Sequence, residues 1–282
     1  MGKTIAVIGL GLIGGSLAID LKRCGFADKI MGVDNNDAHR KQAMELGFVD
    51  EIADWKTALW QSDLVILAIP VDALIKLLPL LLDEVSKNTV ITDVGSTKAP
   101  VANCIKDHPK RERFVASHPM SGTEFSGPTA AVKNLFQEKA AIICNKKESA
   151  PDALILVEQM YKSLYMDLEY MDAVEHDVHA AYVSHISHIS SFVLAATVLE
   201  KEKSAENIFT LASGGFQSTV RLAKSSPEMW APIFLQNQEN MLTVLNTYIQ
   251  QMEEFKQLIA NKDEVGLKKY MEEANKIKKA LR

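Results

Sequence analysis

The hydrophobic pattern divides the chain into two parts of different character. Through residue 170, short apolar runs alternate with segments whose apolar residues recur at helical spacing. The runs that predict β-strands are Thr4–Ile8, Lys29–Asp34, Asp50–Ala53, Leu64–Ile69, Thr89–Val94, Phe114–Ala116, Ala140–Cys144 and Leu168–Met171. Such alternation of strand and helix predicts an α/β fold with a doubly wound sheet.

Beyond residue 170 the periodicity is helical throughout. The helices predicted in the first part are Ala38–Leu46, Thr57–Gln61 (a helix or a turn), Val71–Leu82 and Asp152–Ser163. Those predicted in the second part are Ala173–Lys203, one from near Pro227 to about Ile259, and Asp263–Ala280. The expected domains are therefore 1–170, with the sheet, and 171–282, all-helical. Because the second set of helices is more apolar than so small a domain can bury, we expect a dimer interface there.

A glycine-rich loop follows the first predicted strand. It reads Gly9-Leu10-Gly11-Leu12-Ile13-Gly14 and leads into an apolar helix. In this context Gly9 permits the tight turn, Gly11 lets the backbone approach a pyrophosphate, and Gly14 lets helix and strand pack closely. The alternative is a plain glycine turn with no ligand.

The second predicted strand ends in Asp34. A carboxylate at that position can bind both ribose hydroxyls of NAD and repel the 2′-phosphate of NADP. Arg40 follows on the next helix and is expected on its outer face. The glycine-rich loop and Asp34 together predict an NAD site; a surface aspartate is the alternative.

The composition is that of a globular protein with no footprint for nucleic acid. Hydrophobic residues make up 47% of the 282 residues, charged residues 24%, and the net charge is −5. Cys24, Cys104 and Cys144 are scattered, which predicts reduced thiols in a cytoplasmic protein and no metal site. The chain enters a strand almost at once, and its longest apolar runs are short. We therefore expect neither a signal peptide nor a membrane segment.

Candidate catalytic residues follow the predicted strands at the edge where ligands bind. In doubly wound sheets this edge is formed by the carboxyl ends of the strands, where Ile69, Pro70, Ser96 and His118 all lie. A histidine is a natural general base near neutral pH, so His118 is the predicted base and Ser96 a second partner of the reacting hydroxyl. Lys98 is predicted to be a solvated lysine at the start of a helix, and a catalytic role is the alternative.

The first long helix of the second part carries four histidines. They are His176, His179, His185 and His188. At about 100° per residue, the first two point to one side of a helix and the last two largely to the other. This excludes a metal site built from all four. We expect His185 or His188 to bind a polar or anionic substrate, and the other pair to be structural.

A glycine turn, an arginine and a tryptophan form the last candidate cluster. Gly214-Gly215 precedes Arg221, and Trp230 follows. A guanidinium can bind a substrate carboxylate through two parallel hydrogen bonds, and an indole can form the wall of a pocket. The alternative is a surface arginine in an ion pair and a tryptophan in the core.

Five segments, in this order, resemble the prephenate/arogenate dehydrogenase family of tyrosine biosynthesis. They are GLGLIGGS, DVGSTK, SHPMSGTE, the SHISH segment of the histidine-bearing helix, and GGFQSTVRLAKSSPEMW. The resemblance implies a Rossmann domain followed by a helical dimerisation domain, hence a homodimer. It also implies NAD-dependent oxidative decarboxylation of prephenate or arogenate.

The resemblance further implies roles for single residues. His118 would accept the proton of the substrate hydroxyl with help from Ser96, and Glu124 would lie at the entrance of the pocket. The positions that would face the substrate are Thr123, Glu124, His185, His188, Arg221 and Trp230.

Two other functions fit part of the pattern. A β-hydroxy acid dehydrogenase of similar architecture would use a lysine early in its helical domain, but the segment from Ala173 to Glu200 contains none. A non-catalytic NAD-sensing protein would need the glycine-rich loop, but not His118, Ser96 and Arg221 together. Prephenate dehydrogenation is the preferred hypothesis, with arogenate as the alternative substrate.

Overall fold

The computed structural model describes residues 2–202 and 211–279. The chain separates into two compact units, residues 1–237 and 238–282. The first unit contains the sheet and also the helices that follow it as far as Asn237. The domain boundary near residue 170 stays a prediction.

Eight strands form one sheet in the described residues of the first unit. They are β1 (Lys3–Ile8), β2 (Ala27–Val33), β3 (Glu51–Ile52), β4 (Leu64–Leu67), β5 (Val90–Asp93), β6 (Phe114–Pro119), β7 (Ala140–Cys144) and β8 (Asp167–Met171). Their order is β3-β2-β1-β4-β5-β6-β7-β8. Strands β1 to β6 are parallel, β7 is antiparallel to β6, and β8 is parallel to β7. The predicted doubly wound α/β sheet is confirmed.

Helices cover both faces of this sheet. They are α1 (Leu12–Arg23), α2 (Asp37–Glu45), α3 (Trp55–Gln61), α4 (Val71–Glu84), α5 (Ala99–Cys104) and α6 (Pro151–Ser163). Ile5 and Val7 of β1 pack in one core with α1 and α6, whereas Ala6 and Ile8 pack in a second core with α4. Alternate residues of a strand face opposite sides, so a strand covered on both faces has the unbroken apolar run seen in the sequence.

The helix predicted from Ala173 begins as expected but is not uniform. Asp172 caps its N-terminus by accepting a hydrogen bond from Val174 N. It consists of α7 (Ala173–Ala180), a π-helical turn over Ala181–His185, and α8 (Ile186–Glu202). Its predicted last residue, Lys203, lies outside the described residues.

The prediction of a single helix from Pro227 to Ile259 is wrong. Helix α10 (Pro227–Gln236) ends before Asn237, and α11 (Gln238–Ala260) begins after it. Asn237 has a backbone outside the helical range, with φ −102° and ψ 29°. Its side chain donates a hydrogen bond to the carbonyl oxygen of Asp177 at 2.8 Å, a distant partner that no local pattern indicates. The remaining helices are α9 (Gly214–Thr219) and α12 (Glu264–Ala274).

One helical segment among the described residues, Ala173–Glu202, is long and apolar enough to cross a membrane by length and composition alone. The short apolar runs did not indicate this segment, in which an 18-residue stretch has a mean hydropathy of 1.3. Its exposed large apolar side chains are Val174, Tyr182, Val183, Val193 and Leu199. Apolar surface of this extent calls for a covering partner.

Candidate active site

The glycine-rich loop joins β1 to α1 and has no room for a side chain at two of its glycines. Gly9 has φ +100°, and a Cβ there would lie 2.2 Å from the carbonyl oxygen of Ala68. A Cβ on Gly14 would lie 1.9 Å from the carbonyl oxygen of Gly9. At Gly11, by contrast, the atom nearest to an added Cβ would be the nitrogen of Gly127, 4.0 Å away. The backbone at Gly11 is therefore open to a ligand.

Asp34 directly follows β2, and the glycine-rich loop holds its carboxylate. Oδ2 accepts a hydrogen bond from Leu10 N at 2.9 Å, and Oδ1 accepts one from Asn36 N at 2.9 Å. The placement expected for Arg40, on the outer face of α2, is wrong. Its Nη1 donates to the carbonyl oxygen of Asp34 at 2.7 Å, because Arg40 lies in the first turn of that helix and its long side chain reaches back.

These features fit a dinucleotide. The open backbone at Gly11 precedes the N-terminus of α1, which is where a pyrophosphate binds in such folds. Asp34 has its carboxylate fixed at the end of the neighbouring strand, where a ribose diol binds.

The other predicted cofactor residues contribute in different ways. Leu10 packs into the core and Leu12 is buried at the start of α1, so these two can offer a ligand only their backbone, whereas Ile13 is only partly buried. Ile69 lies beside Gly9, with its Cγ2 2.9 Å from where a Cβ of Gly9 would be. Pro70 is exposed and precedes α4.

His118 lies near the carboxyl end of β6 and is 8% exposed. Its Nδ1 is 2.9 Å from His176 Nε2, and His176 Nδ1 is 2.8 Å from Asp177 Oδ1. Burial holds the pKa of His118 well below its usual value, and the nearby His176, Lys98 and His185 lower it further. The ring is therefore neutral at pH 7 and able to accept a proton.

The π-helical turn changes which histidines share a face. Its wider turn rotates the residues after it relative to a regular α-helix. As a result His176 and His185 are both buried, and both lie close enough to His118 to lower its pKa, whereas His179 is exposed. The prediction that the two pairs point to opposite sides is wrong. His176, expected to be structural, contacts the predicted base directly.

Lys98 is fully buried, so the prediction of a solvated lysine is wrong. Its Nζ forms an ion pair with the carboxylate of Asp93 and donates to the carbonyl oxygen of Ser117 at 2.8 Å. A buried lysine requires such a partner. The only feature of the sequence that could have indicated the burial of Lys98 was Asp93, an acid at the end of a buried strand.

Glu124 and Arg221 form an ion pair at the outer edge of the site. We call this edge, with the neighbouring His188 and Trp230, the rim. Arg221 Nη1 donates to Glu124 Oε2 at 2.7 Å, while the arginine side chain stays 49% exposed. The main-chain N–H of Glu124, followed by Arg221, lowers the pKa of the Glu124 carboxyl. The arginine is thus ion-paired at the surface, and its role as a carboxylate clamp stays a prediction.

An aromatic stack lies next to this pair. The rings of His188 and Trp230 are stacked with centroids 3.5 Å apart, and His185 meets the same indole edge-on at 5.8 Å. Burial lowers the pKa of His188, and Arg221 adds to the effect. Among the described residues, the buried Nε1 of Trp230 has no hydrogen-bond partner. This N–H is available to a ligand.

Two predicted site residues form no hydrogen bond with His118 within the described part of the chain. Ser96 is half-buried on the loop after β5. Thr123 Oγ1 accepts a hydrogen bond from Phe125 N at 3.3 Å. In the same residues, no group of three or more His, Cys, Asp or Glu side chains could hold a metal ion.

Comparison with known families decides what kind of site this is. Residues 17–169 match the nucleotide-binding domain of prephenate dehydrogenase, and residues 172–273 match its dimerisation domain. The chain belongs to the prephenate dehydrogenase family. The predicted family is confirmed, and so is the predicted order of a Rossmann fold followed by a helical region.

Several members of the prephenate dehydrogenase family are similar over the whole chain. Prephenate dehydrogenase of Bacillus subtilis is 32% identical over 100% of this chain and 76% of its own length. Cyclohexadienyl dehydrogenase of Zymomonas mobilis is 30% identical over 99% of this chain and 96% of its own. The crystal structure of A. aeolicus prephenate dehydrogenase with hydroxyphenyl propionate and NAD+ has a TM-score of 0.87 and 31% identity, and covers 99% of this chain and 98% of that one.

Proposed function

We propose that this chain is an NAD-dependent prephenate dehydrogenase, which converts prephenate to 4-hydroxyphenylpyruvate, carbon dioxide and NADH. The observation that carries the proposal is the environment of His118. The ring is buried and has a lowered pKa, and its Nδ1 is engaged by His176. Within the described residues its Nε2 has no hydrogen-bond partner. A neutral ring with one free nitrogen, at the edge of the sheet that also bears the glycine-rich loop, is suited to take a proton from a substrate hydroxyl.

The cofactor is NAD, whose nicotinamide accepts a hydride. Asp34 favours NAD over NADP because its fixed carboxylate would repel a 2′-phosphate. Arg40 does not offset this charge, since its guanidinium is engaged by the Asp34 carbonyl oxygen and the Asp37 carboxylate.

His118 is the residue that accepts and returns the proton. Its Nε2 draws the proton from the ring hydroxyl as the carbon that bears this hydroxyl loses hydride. The bond to the ring carboxylate breaks, carbon dioxide leaves, and the released electron pair completes the aromatic ring. The proton then returns to the phenolic oxygen. Ser96, on the loop after β5, would share the hydrogen bond to that oxygen.

Substrate binding is assigned to the residues of the rim. Arg221 would bind a carboxylate, His188 and Trp230 would form the wall of the pocket, and the unpartnered Trp230 Nε1 could donate a hydrogen bond. Glu124 and Thr123 lie on the loop after β6. The adjacent charges of Glu124 and Arg221 also match the ammonium and carboxylate of an amino acid side chain, which makes arogenate the second candidate substrate.

A homodimer would cover the apolar surface of the segment Ala173–Glu202. Its buried His176 and His185 are polar groups committed to the site, and the segment falls within the matched dimerisation domain. We therefore infer a second copy of the chain, and not a lipid bilayer, as its covering partner in a cytoplasmic enzyme. Light scattering should give twice the mass of 31.2 kDa; a monomer that binds lipid vesicles would contradict this inference.

One absorbance assay tests the proposed reaction. NADH or NADPH formation is followed with prephenate and with arogenate, each paired with NAD+ and NADP+. We expect turnover of prephenate with NAD+ and a much lower kcat/KM with NADP+. Turnover of arogenate alone would make the second candidate the function. Equal kcat/KM for the two cofactors would remove the role assigned to Asp34.

A further inference from the structure

A row of three hydrogen-bonded side chains leads from His118 into the interior. His118, His176 and Asp177 are 8%, 1% and 2% exposed, respectively. The far end of the row is held by the main chain, because Asp177 accepts hydrogen bonds from Lys98 N at 2.7 Å and Ala99 N at 2.9 Å. The row therefore connects β6, α7 and the start of α5 in one fixed arrangement.

The positions of the protons in this row follow from its fixed end. The Asp177 carboxylate already accepts two main-chain N–H groups, so it also acts as an acceptor toward His176 Nδ1, which must donate. A neutral His176 then presents an unprotonated Nε2 to His118, and His118 Nδ1 must donate to it. This leaves His118 Nε2 without a proton.

We propose that His176 and Asp177 are positioning residues that hold His118 in the tautomer with the proton on Nδ1, so that Nε2 is the proton acceptor. The other tautomer would present an N–H to the substrate hydroxyl and could not take its proton. The identity of the proton that His118 Nε2 accepts, that of the substrate hydroxyl, rests on the proposed function. The tautomer of His118 does not depend on that function.

His185 provides an internal comparison, because its hydrogen bond with Asn237 requires the opposite tautomer. Asn237 Nδ2 donates to the carbonyl oxygen of Asp177 at 2.8 Å, which fixes the orientation of the amide. The same Nδ2 lies 3.2 Å from His185 Nδ1, so Nδ1 must be the acceptor and the proton of His185 lies on Nε2. Two buried histidines of one site therefore carry their protons on different nitrogens.

The first test reads the tautomers directly in the ligand-free protein. Histidines are labelled with ¹⁵N, and two-bond ¹H–¹⁵N correlation spectra are recorded at pH 7.5. The signals of each ring are assigned by their loss in His118→Asn and His185→Gln. We expect a protonated Nδ1 in His118 and a protonated Nε2 in His185. A His118 ring protonated mainly on Nε2 overturns the proposal, and this readout needs neither substrate nor turnover.

The second test separates positioning from packing. His176→Phe keeps an aromatic ring but removes the acceptor, so we expect kcat for prephenate to fall by about ten- to a hundredfold. We expect KM for prephenate and for NAD+ to stay within about threefold. His176→Gln places an amide oxygen near the position of Nε2 and should recover most of kcat. His179→Phe, an exposed position on the same helix, is the matched control and should leave kcat unchanged.

Three outcomes of this second test have distinct meanings. An unchanged kcat in His176→Phe overturns the proposal. Equal losses in the Phe and Gln variants also overturn it, since they indicate a packing role. A wild-type protein that does not turn over prephenate refutes the proposed function, while the tautomer measurement still decides the positioning role.

Discussion

The interior and the rim of the candidate site are stabilised in different ways. In the interior, the Lys98–Asp93 ion pair and the His176–Asp177 hydrogen bond are almost completely buried. At the rim, Arg221 of the Glu124–Arg221 pair is 49% exposed. Removing one partner of a buried pair costs several kcal/mol, whereas an exposed pair contributes about 0–1 kcal/mol.

This difference fits the two functions proposed for the site, with proton transfer in the interior and substrate binding at the rim. Lys98 and Asp177 each have several partners, and His118 is held through its hydrogen bond with His176, so the proposed base is in place before any ligand binds. The rim pair can separate at little cost, which fits the proposal that Arg221 exchanges Glu124 for a substrate carboxylate. Proton transfer needs fixed geometry, and binding and release need groups that can change partners.

The largest effect is expected at the interior base. His118→Asn keeps a hydrogen-bonding side chain but cannot take a proton, so kcat should fall by about a hundred- to ten-thousandfold. KM for prephenate should change little, because binding is assigned to the rim. Steady-state kinetics with prephenate and NAD+ measure both. A loss of less than about tenfold would contradict the role of general base.

The next effect concerns stability. Lys98→Met leaves the Asp93 carboxylate buried without its cation, and the free energy of unfolding should fall by about 3–5 kcal/mol. Urea denaturation at a fixed protein concentration measures this change. Lys106→Met, an exposed lysine just beyond α5, is the matched control and should have little effect. A change below about 1 kcal/mol in Lys98→Met would show that the pair behaves like an exposed one.

Acid should destabilise the interior before it affects the rim. Burial lowers the pKa of His185 to about 4, whereas an unfolded histidine titrates near 6.5. Between these values the unfolded chain binds more protons, so stability falls as the pH drops from about 6.5 to 4. His185 alone should contribute about 3 kcal/mol to this loss, and His118 acts in the same direction.

Denaturation curves at pH 7.5 and pH 4.5 test this expectation. His185→Gln should reduce the loss of stability, and His179→Gln, at an exposed histidine, should not. If the two variants and the wild type lose stability equally between these pH values, the burial of His185 is not the source of the effect.

A smaller effect is expected for the rim cation. Arg221→Ala should raise KM for prephenate by about ten- to a hundredfold, since a hydrogen bond to a charged group contributes about 1.5–3 kcal/mol. Arg221→Lys should recover part of the loss, because an ammonium lacks the planar pair of donors. A KM within about threefold of wild type in Arg221→Ala would leave Arg221 as a surface ion-pair residue only.

The smallest effect is expected for the partner of this cation. Glu124→Gln should change the free energy of unfolding by less than about 1 kcal/mol. KM for prephenate should not rise, because the substitution releases Arg221 for the substrate. A rise as large as that in Arg221→Ala would mean that Glu124 itself is needed for binding, and would remove the proposed exchange of partners.

The sequence predicted most of the fold and, within the site, the positions of the dinucleotide loop and of the candidate base. The strands could be read because apolar runs and glycine turns are local signals. Gly9, Gly14, Asp34 and His118 could be placed because the carboxyl ends of parallel strands share one edge. The break at Asn237 could not be predicted, since the side chain that interrupts the helix binds to Asp177, a partner distant in the chain.

By itself, the sequence determined the doubly wound sheet, the dinucleotide loop, the family and the position of the candidate base. Tertiary structure alone decided what surrounds that base. A π-helical turn brought His176 and His185 to one site, and Lys98 became buried because Asp93 lies within its reach. Periodicity assumes a regular helix, and composition treats a lysine as solvated. Both assumptions fail where buried polar groups must find partners far along the chain.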